Sequence, residues 1–280
     1  MEQKFLFMMT ELAYQAGKIA LKYAGDSNPT LKDDDSVLTA ADKEVSALAH
    51  EKLSSLLMSK DHILIEEEDP DKDQYFDNNL LQNTPYIWAV DPIDGTRLYA
   101  NNIPLYGVSI GLIKELKPYL GVVYFPALGE LFYCDGGDAF YVKNAFSTKE
   151  SKSQIIPIET KISSKSLFLL SDTFFKEHNW EYENCRLFVS ACATVNMCWP
   201  VIGRACGCLD QSYLWDLAGS WPIFQKAGLH LRALSDGKVM NKLDTCFFAG
   251  DDDPWKLKEY NLLSSERNFS QLKKNVVFGR

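Results

Sequence analysis

The chain is short of basic residues, of histidine and of long apolar runs. Its 280 residues include 29 Lys and Arg against 38 Asp and Glu, which gives a net charge of −9. This balance argues against nucleic acid or an anionic membrane as the main partner, because both need basic patches. The few histidines are scattered and suggest no catalytic dyad. No apolar run approaches the length of a membrane span.

Several common signatures are missing as well. The sequence contains no GxGxxG and no Walker A motif, which disfavours a Rossmann or P-loop protein. Its seven cysteines include no CxxC pair, which predicts reduced thiols. The N-terminus carries acidic Glu2 and only a short apolar run before Thr10, unlike a signal peptide. These absences predict a cytoplasmic protein, and they allow a phosphorylated small molecule as ligand if bound metal reverses the local charge.

Apolar sequence, in contrast, is plentiful. Hydrophobic residues make up 46% of the chain, which predicts one large domain or two joined halves. The polar run Ser147–Ser153 is the best internal boundary. It divides the chain into an N-terminal α+β half over 1–150, with most of the acidic motifs, and a C-terminal α/β half over 151–280.

Hydrophobic periodicity predicts helices and strands in mixed order. Helical spacing runs from Phe5 to Tyr23, and a second helix begins after Thr39 as its N-cap. Further helices are predicted over Ala193–Ile202, Trp215–Ala227 and Pro254–Leu263. Strands are predicted at Ile63–Ile65, Gly107–Ile113, Tyr119–Phe125, Leu131–Cys134, Ala139–Val142, Leu167–Leu170 and Cys206–Leu209. This order fits a layered α+β fold.

The segment Asp91-Pro92-Ile93-Asp94-Gly95-Thr96 carries the most information. It follows the apolar run 86–90, so a strand ending in this turn would point Asp91 and Asp94 into one small space. Two carboxylates about 4 Å apart repel by roughly 4 kcal/mol at an effective dielectric of about 20. A hard divalent cation bound by oxygen ligands relieves such repulsion. The segment therefore predicts a metal site.

Two other acidic segments accompany it. Glu66-Glu67-Glu68-Asp69 follows a predicted strand, and Asp216 opens a predicted helix. Each has an ordinary alternative, because the first is also typical of a solvated loop and Asp216 of an N-cap. Asp42, likewise, suits a capping box with Thr39. Taken together, their order and spacing favour convergent carboxylates, which a two-metal site requires.

The combination resembles the inositol monophosphatase family of metal-dependent phosphatases, over most of the chain. The matching motifs are Leu38-Thr39-Ala40-Ala41-Asp42, Glu67-Glu68, Asp91-Pro92-Ile93-Asp94-Gly95-Thr96 and Trp215-Asp216-Leu217-Ala218-Gly219. The hexapeptide together with the distal Trp-Asp pair is the specific signal. The resemblance implies a five-layered αβαβα fold and usually a homodimer. It also implies dependence on two to three Mg²⁺ ions, commonly with lithium inhibition.

The resemblance further implies a metal-binding role for five residues. Glu67, Asp91 and the Ile93 carbonyl would hold the first ion. Asp91, Asp94 and Asp216 would hold the second, with Asp91 bridging. In-line displacement at phosphorus needs such ions to stabilise charge on the attacking and leaving oxygens.

Catalytic and substrate-binding roles are carried over in the same way. The implied catalytic residues are Asp42, Thr96 and Glu67, the first two of which would orient and deprotonate the attacking water. The backbone N–H groups of Gly95 and Thr96 would face the phosphate. The implied substrate-binding residues are Gly95, Thr96, Arg97 and Asp210.

The chain departs from the family pattern at several positions. Ala191-Cys192-Ala193-Thr194 stands before the Asn-Met-Cys sequence, where the pattern has Gly-Ser-Ala-Ala. Asp210 lies one residue closer to the Trp-Asp pair than the usual acidic residue. Glu66 replaces a small residue, and it either perturbs the first metal or faces solvent. Arg97 either binds a second phosphate or lies on the surface.

These motifs predict a Mg²⁺-dependent phosphomonoesterase whose default substrate is inositol monophosphate or a similar polyol phosphate. Glu67-Glu68-Asp69-Pro70 and Arg97 keep a 3′(2′),5′-bisphosphate nucleotidase as the alternative, with fructose bisphosphate and histidinol phosphate as further substrates. A family member retained as a regulatory protein with vestigial catalysis is the alternative of another class. The complete set of carboxylates argues against it.

Overall fold

The structure is a computed structural model that describes residues 2–25, 29–31, 37–158, 161–181, 185–250 and 253–279. Its helices are α1 (Glu2–Tyr23), α2 (Ala40–Leu57), α3 (Asn78–Gln82), α4 (Thr96–Ala100), α5 (Phe174–Glu177), α6 (Ala193–Val201), α7 (Leu214–Lys226) and α8 (Glu266–Lys273). Its strands are β1 (Thr30–Leu31), β2 (Val37–Leu38), β3 (His62–Glu66), β4 (Tyr86–Asp94), β5 (Gly107–Lys114), β6 (Lys117–Phe125), β7 (Glu130–Cys134), β8 (Ala139–Lys143), β9 (Ser151–Ile155), β10 (Leu167–Ser171), β11 (His178–Trp180), β12 (Arg186–Ser190), β13 (Cys208–Asp210), β14 (Leu229–Ala233), β15 (Asn261–Ser265) and β16 (Val276–Phe278).

Sheets and helices alternate in layers. A large sheet has the strand order β3-β4-β5-β6-β7-β8-β9, and a small sheet has the order β12-β10-β13-β15-β14. Helices α1 and α2 pack on the large sheet, α6 and α7 lie between the two sheets, and α8 packs on the small sheet. Alternation along β10 shows the two faces, because Leu169 joins the core around α6 and α7 whereas Phe168 and Leu170 join the core beside α8. This is the αβαβα arrangement that the resemblance implied.

The second helix begins as its sequence predicted. Thr39 is the N-cap of α2, with an extended backbone, and the Asp42 backbone N–H lies 3.4 Å from its hydroxyl oxygen. In return, Asp42 Oδ2 accepts a hydrogen bond from the Thr39 backbone N–H at 2.7 Å. Because both directions of this exchange are present, the capping box is confirmed.

The helix predicted over Pro254–Leu263 is wrong. Trp255 has a φ of 72°, a left-handed conformation that ends any helix at this point. Beyond it, strand β15 pairs with β13 and β14, and Leu262 and Leu263 are buried on opposite faces of the small sheet. Leu262 and Leu263 form a short apolar run between polar residues, and periodicity alone does not assign so short a run to a strand or a helix.

The polar run 147–153 does not separate the two sheets. Its last residues, from Ser151, belong to β9, which pairs with β8 at the edge of the large sheet. The small sheet begins only at β10. Helix α7 contacts strands of both sheets, so the middle helical layer joins the two parts of the chain. The division into halves at residue 150 stays a prediction.

Two further observations concern the sequence expectations. All seven cysteines have free thiols, as predicted. In the described parts of the chain, no helix combines the length and apolar character needed to cross a lipid bilayer. The cytoplasmic location and the homodimer stay predictions.

Candidate metal centre

The first acidic segment reaches the centre because β3 and β4 run parallel. Glu66, the last residue of β3, lies opposite Val90 in the sheet. The backbone N–H of Glu67 then donates to the Val90 carbonyl at 3.2 Å. This pairing carries Glu67 past the end of β3 and toward Asp91, the residue after Val90.

A β-bulge turns the two carboxylates of β4 to the same side. Asp91 pairs with Ser109 and Asp94 with Gly107, so Pro92 and Ile93 together oppose only Val108. In a regular strand, side chains three residues apart point to opposite faces. The extra residue of the bulge cancels this alternation. Proline, which has no N–H to donate, is tolerated there because the bulge interrupts the ladder of hydrogen bonds.

The turn after the bulge is fixed by short contacts. The Ile93 backbone N–H donates to Asp91 Oδ1 at 2.9 Å, and the Thr96 hydroxyl donates to the Ile93 carbonyl at 2.7 Å. Gly95 has a φ of 83°, and a Cβ atom at this position would lie 2.9 Å from the Leu105 carbonyl oxygen. Only glycine fits both conditions, which explains its place in the segment.

Asp216 arrives on a helix that lies unusually close to the large sheet. The Ser109 hydroxyl donates to the Trp215 carbonyl at 2.8 Å, and a Cβ atom on Gly219 would lie 2.5 Å from Ser109 Oγ. Asp216 is the third residue of α7 rather than its N-cap, and its Oδ2 accepts the Tyr213 backbone N–H at 2.8 Å. The helix therefore presents Asp216 from its first turn.

Three acidic side chains converge at this point. Asp91, Asp94 and Asp216 each offer one oxygen, and these oxygens lie within 4.8 Å of one another. Glu67 lies outside this tight set, but its charge acts on Asp91. Burial raises the pKa of Asp91 well above its usual value, and the charges of Glu67, Asp216 and Asp94 raise it further.

The electrostatics of the cluster fit a divalent cation. Burial raises the pKa of Asp216 to about 8, with a further contribution from Asp94. Such shifts show that the protein alone does not compensate the negative charge of the group. Buried carboxylate oxygens at this spacing match the ligand preference of Mg²⁺ and similar hard cations. The residues present therefore fit the metal that the resemblance implied.

Asp94 is also held from the opposite side of the centre. Its Oδ1 accepts the Ala193 backbone N–H at 3.0 Å, and its Oδ2 accepts the Thr194 backbone N–H at 2.6 Å and the Cys192 thiol at 2.9 Å. Burial raises the pKa of Asp94, whereas the hydrogen bonds from Cys192 and Thr194 lower it. The segment 191–194 was identified as a departure from the family pattern, but its contacts with Asp94 were not predicted. The sequence signal for them was the polar residues at the start of a predicted helix.

Asp42 and Thr96 lie on neighbouring elements. Asp42 is fully buried in the first turn of α2. Burial raises the pKa of the Tyr99 hydroxyl, and the nearby Tyr106 and Asp42 raise it further. Helix α4, which begins with Thr96, packs against β2, the strand that leads into α2 and Asp42.

A cavity of about 230 Å³ opens beside the cluster. The predicted substrate residue Asp210 lines it, is buried, and accepts the Asn196 amide at 2.6 Å. Burial raises the pKa of Asp210 to about 7, and Asp94 adds to the shift. The other lining residues are Asp94, Ser171, Asp172, Thr173, Ser190, Ala191, Cys192, Ala193, Gln211, Ser212, Tyr213, Asp216 and Lys256. Lys256 was missed because its segment was predicted to be helical.

Arg97 borders this cavity from the surface. Its side chain is 61% exposed, and Nη1 lies 3.7 Å from Asp172 Oδ2. Asp172 is itself one of the lining residues. Arg97 therefore lies on the surface, next to a residue that lines the cavity. Its binding of a second phosphate stays a prediction.

The expectation that Glu66 faces solvent is wrong, because its side chain is 0% exposed. Its Oε2 accepts the Ser46 hydroxyl at 3.0 Å and lies 3.7 Å from His50 Nε2. Ser46 and His50 are one turn apart on α2, which crosses the end of β3. These polar partners contact one oxygen of the carboxylate, Oε2, and offset part of the cost of its burial.

Comparison with known proteins decides the family. The sequence model that describes the inositol monophosphatase family matches residues 1–268 of this chain. The chain belongs to the inositol monophosphatase family. Membership identifies it as a phosphatase.

Relatives within the family act on different phosphates. A histidinol-phosphatase of Chlorobaculum parvum is 31% identical over 231 residues, covering 80% of this chain and 83% of that protein. A 3′(2′),5′-bisphosphate nucleotidase CysQ of Salmonella typhimurium is 27% identical over 240 residues, covering 81% of this chain and 89% of the relative. The structure of an IMPase/NADP phosphatase complexed with NADP and Ca²⁺ superposes with a TM-score of 0.76 at 16% identity, covering 100% of this chain and 99% of that one. At this identity the superposition shows the fold alone.

Proposed function

We propose that this phosphatase is a Mg²⁺-dependent phosphomonoesterase that hydrolyses a small phosphorylated metabolite. The convergence of Asp91, Asp94 and Asp216, with oxygens within 4.8 Å of one another, supports this most strongly. Carboxylates this close and this deeply buried favour a hard divalent cation among them. The position of the cluster beside the cavity would place such a cation next to a bound phosphate.

In this proposal, Glu67, Asp91 and the Ile93 carbonyl would hold one ion, and Asp91, Asp94 and Asp216 would hold a second. When bound, the ions supply charge stabilisation at the phosphate and a lowered pKa for water, as in other two-metal hydrolases. Burial and three acidic neighbours raise the pKa of Asp91, and cations held by these residues would restore its ionised form.

Thr96 orients the attacking water, and the Asp42 carboxylate takes its proton. The single hydroxyl proton of Thr96 is donated to the Ile93 carbonyl at 2.7 Å. The hydroxyl oxygen is therefore left to accept a hydrogen bond from the water, which turns a lone pair of the water toward phosphorus. The backbone N–H groups of Gly95 and Thr96 bind the phosphate oxygens.

Inositol monophosphate, or a similar polyol phosphate, is the default substrate. The cavity presents Ser171, Thr173 and Gln211, whose polar side chains suit the hydroxyl groups of a polyol. A 3′(2′),5′-bisphosphate nucleotidase is the second candidate, favoured by Arg97 at the cavity border and by the CysQ relative.

Phosphate release from a substrate panel tests the proposal. Inositol 1-phosphate, adenosine 3′,5′-bisphosphate, histidinol phosphate and fructose 1,6-bisphosphate are each assayed with Mg²⁺ and with EDTA. We expect Mg²⁺-dependent turnover, fastest for inositol 1-phosphate. Fastest turnover of the adenosine compound would select the second candidate. No turnover of any compound would favour the vestigial regulatory protein.

Replacing Asp94 tests the metal cluster directly. Asp94→Asn should lower kcat by about two orders of magnitude or more while leaving the fold intact, because the neutral amide removes one of the negative charges that hold the cation. Asp138→Asn, in an exposed turn, is the control and should retain full activity. Wild-type turnover by the Asp94→Asn enzyme, with far-UV circular dichroism unchanged, would remove Asp94 from the metal centre.

A further inference from the structure

The carboxylate of Asp94 is bound by one short segment at the start of α6. Four donors from Cys192–Thr194 reach it: the Ala193 backbone N–H at 3.0 Å, the Thr194 backbone N–H at 2.6 Å, the Cys192 thiol at 2.9 Å and the Thr194 hydroxyl. Three of these donors converge on Oδ2 alone. This arrangement leaves Asp94 little freedom to rotate.

Two of the four donors are side chains, which a substitution can remove. A backbone N–H is available whatever residue occupies the position, whereas a thiol and a hydroxyl are not. Thr194 stands where the family pattern has alanine. The added hydroxyl therefore provides a contact to Asp94 that an alanine at this position lacks.

Burial makes these contacts strong and difficult to replace. Thr194 is 0%, Cys192 2% and Asp94 6% exposed, so water does not substitute for a lost donor without rearrangement. Thr194 Oγ1 is also confined by the backbone of β5, because a Cβ atom on Gly107 would lie 3.1 Å from it. Gly107 is the residue that pairs with Asp94 across the sheet. The hydroxyl is thus enclosed at the position where it contacts the carboxylate.

We propose that Thr194 and Cys192 are positioning residues that fix the Asp94 carboxylate in its orientation toward Asp91 and Asp216, and so set the affinity of the centre for a divalent cation. The proposal rests on the proposed function, in which Asp94 is a metal ligand. Partners that orient a ligand by hydrogen bonding commonly change metal affinity by about 10- to 100-fold when they are removed. Thr194 is expected to contribute more than Cys192, since a thiol is a weak donor.

Cation binding in the absence of substrate tests this inference. Terbium luminescence titration, with Mg²⁺ as competitor, measures affinity without any catalytic step. Thr194→Val removes the hydroxyl at nearly constant volume and should weaken binding by about 10-fold or more. Thr194→Ser restores the donor and should bind within about 3-fold of wild type, whereas Cys192→Ala should show a loss smaller than that of Thr194→Val.

A matched control separates positioning from simple destabilisation. Thr84 is also buried, and its hydroxyl donates to the Leu80 carbonyl at 2.9 Å. Thr84→Val should lower the melting temperature without changing terbium affinity. If Thr194→Val does not fold, Thr194→Ala removes the same donor without the branched side chain.

The outcomes also separate this inference from the proposed function. Wild-type affinity in both Thr194→Val and Thr194→Ala would overturn the positioning role while the metal centre stands. Equal weakening in Thr194→Ser and Thr194→Val would overturn it too, because the hydroxyl would then be irrelevant. If the wild-type protein binds no cation and releases no phosphate, the proposed function fails and this inference fails with it.

Discussion

Asp91 is the residue on which the acidic segments converge. It lies next to Glu67 through the parallel pairing of β3 and β4, next to Asp94 through the bulge, and next to Asp216 through the close approach of α7. Each contact adds negative charge to a side chain that is almost fully buried. A carboxylate in these surroundings is stable in its ionised form only beside cations.

The contacts between individual residues were only partly predictable from the sequence. Asp91, Asp94 and Asp216 were identified because turn chemistry and spacing are local properties of the sequence. The burial of Glu66 was not, because it depends on how the preceding helix α2 packs Ser46 and His50 against the end of β3. The contacts of Cys192 with Asp94 depend in the same way on long-range packing.

The pairing of His50 with Glu66 predicts a pH-dependent contribution to stability. The Glu66 carboxylate, 3.7 Å away, raises the pKa of His50 above its ordinary value of 6.5, although burial opposes this. The charged pair therefore stabilises the fold fully below pH 6.5 and loses its effect as the pH rises through the raised pKa of the folded state. His50→Gln should reduce the free energy of unfolding at pH 5.5 by less than about 1 kcal/mol, since the imidazole is partly exposed.

Urea unfolding of the wild type and of His50→Gln between about pH 5.5 and pH 9 measures this difference. It should shrink toward zero at the alkaline end. In a Glu66→Gln background the same histidine substitution should have no pH-dependent effect. A difference that is equal at all pH values would contradict the charged pair.

At the scale of elements, the position of α7 is set by small residues. Gly219 of the helix faces Ser109 and Ile110 of β5, and Gly111 of that strand faces the helix at Ala218. A larger residue at any of these positions would separate the helix from the sheet. The distance of Asp216 from Asp91 therefore depends on glycines that have no chemical role.

Gly219→Ala tests this dependence. The new Cβ atom would lie 2.5 Å from Ser109 Oγ and 3.0 Å from Ile110 N and Val122 O. Overpacking costs about 1–3 kcal/mol, against which alanine gains about 1 kcal/mol in helix propensity. We expect a net loss of up to about 2 kcal/mol in chemical denaturation, together with weaker terbium binding, because Asp216 moves with the helix.

Gly137→Ala is the matched control for this substitution. The nearest atom to its new Cβ would be Asp135 Oδ1, at 3.4 Å, so stability and terbium binding should not change. Wild-type stability and affinity in Gly219→Ala would show that the helix does not depend on this close approach.

The elements also show where sequence reasoning ends. Helices α1 and α2 were predicted because one face of each is apolar and a capping box marks the start of the second. The segment around β15 was predicted to be helical, but the left-handed conformation of Trp255 and the pairing of β15 with β13 and β14 rule out the helix. Nothing in the local sequence reveals that conformation.

At the scale of the whole molecule, the centre lies where the large sheet meets the middle helical layer. Asp91 and Asp94 come from the sheet, Asp216 from α7, and the segment that holds Asp94 from α6. The αβαβα layering was predicted by the family resemblance rather than by periodicity, which gave only a mixed α+β order. Assembly of the centre therefore requires that the parts of the chain on either side of Ile155, the end of β9, pack together.

An anomalous difference map from crystals soaked in Mn²⁺ tests this account most directly, because Mn²⁺ replaces Mg²⁺ with similar oxygen ligands. We predict at least one peak at coordination distance from the carboxylates of Asp91, Asp94 and Asp216, and its loss in the Asp94→Asn protein. Crystals at saturating Mn²⁺ with no peak among these side chains would contradict the metal centre and the phosphomonoesterase mechanism built on it.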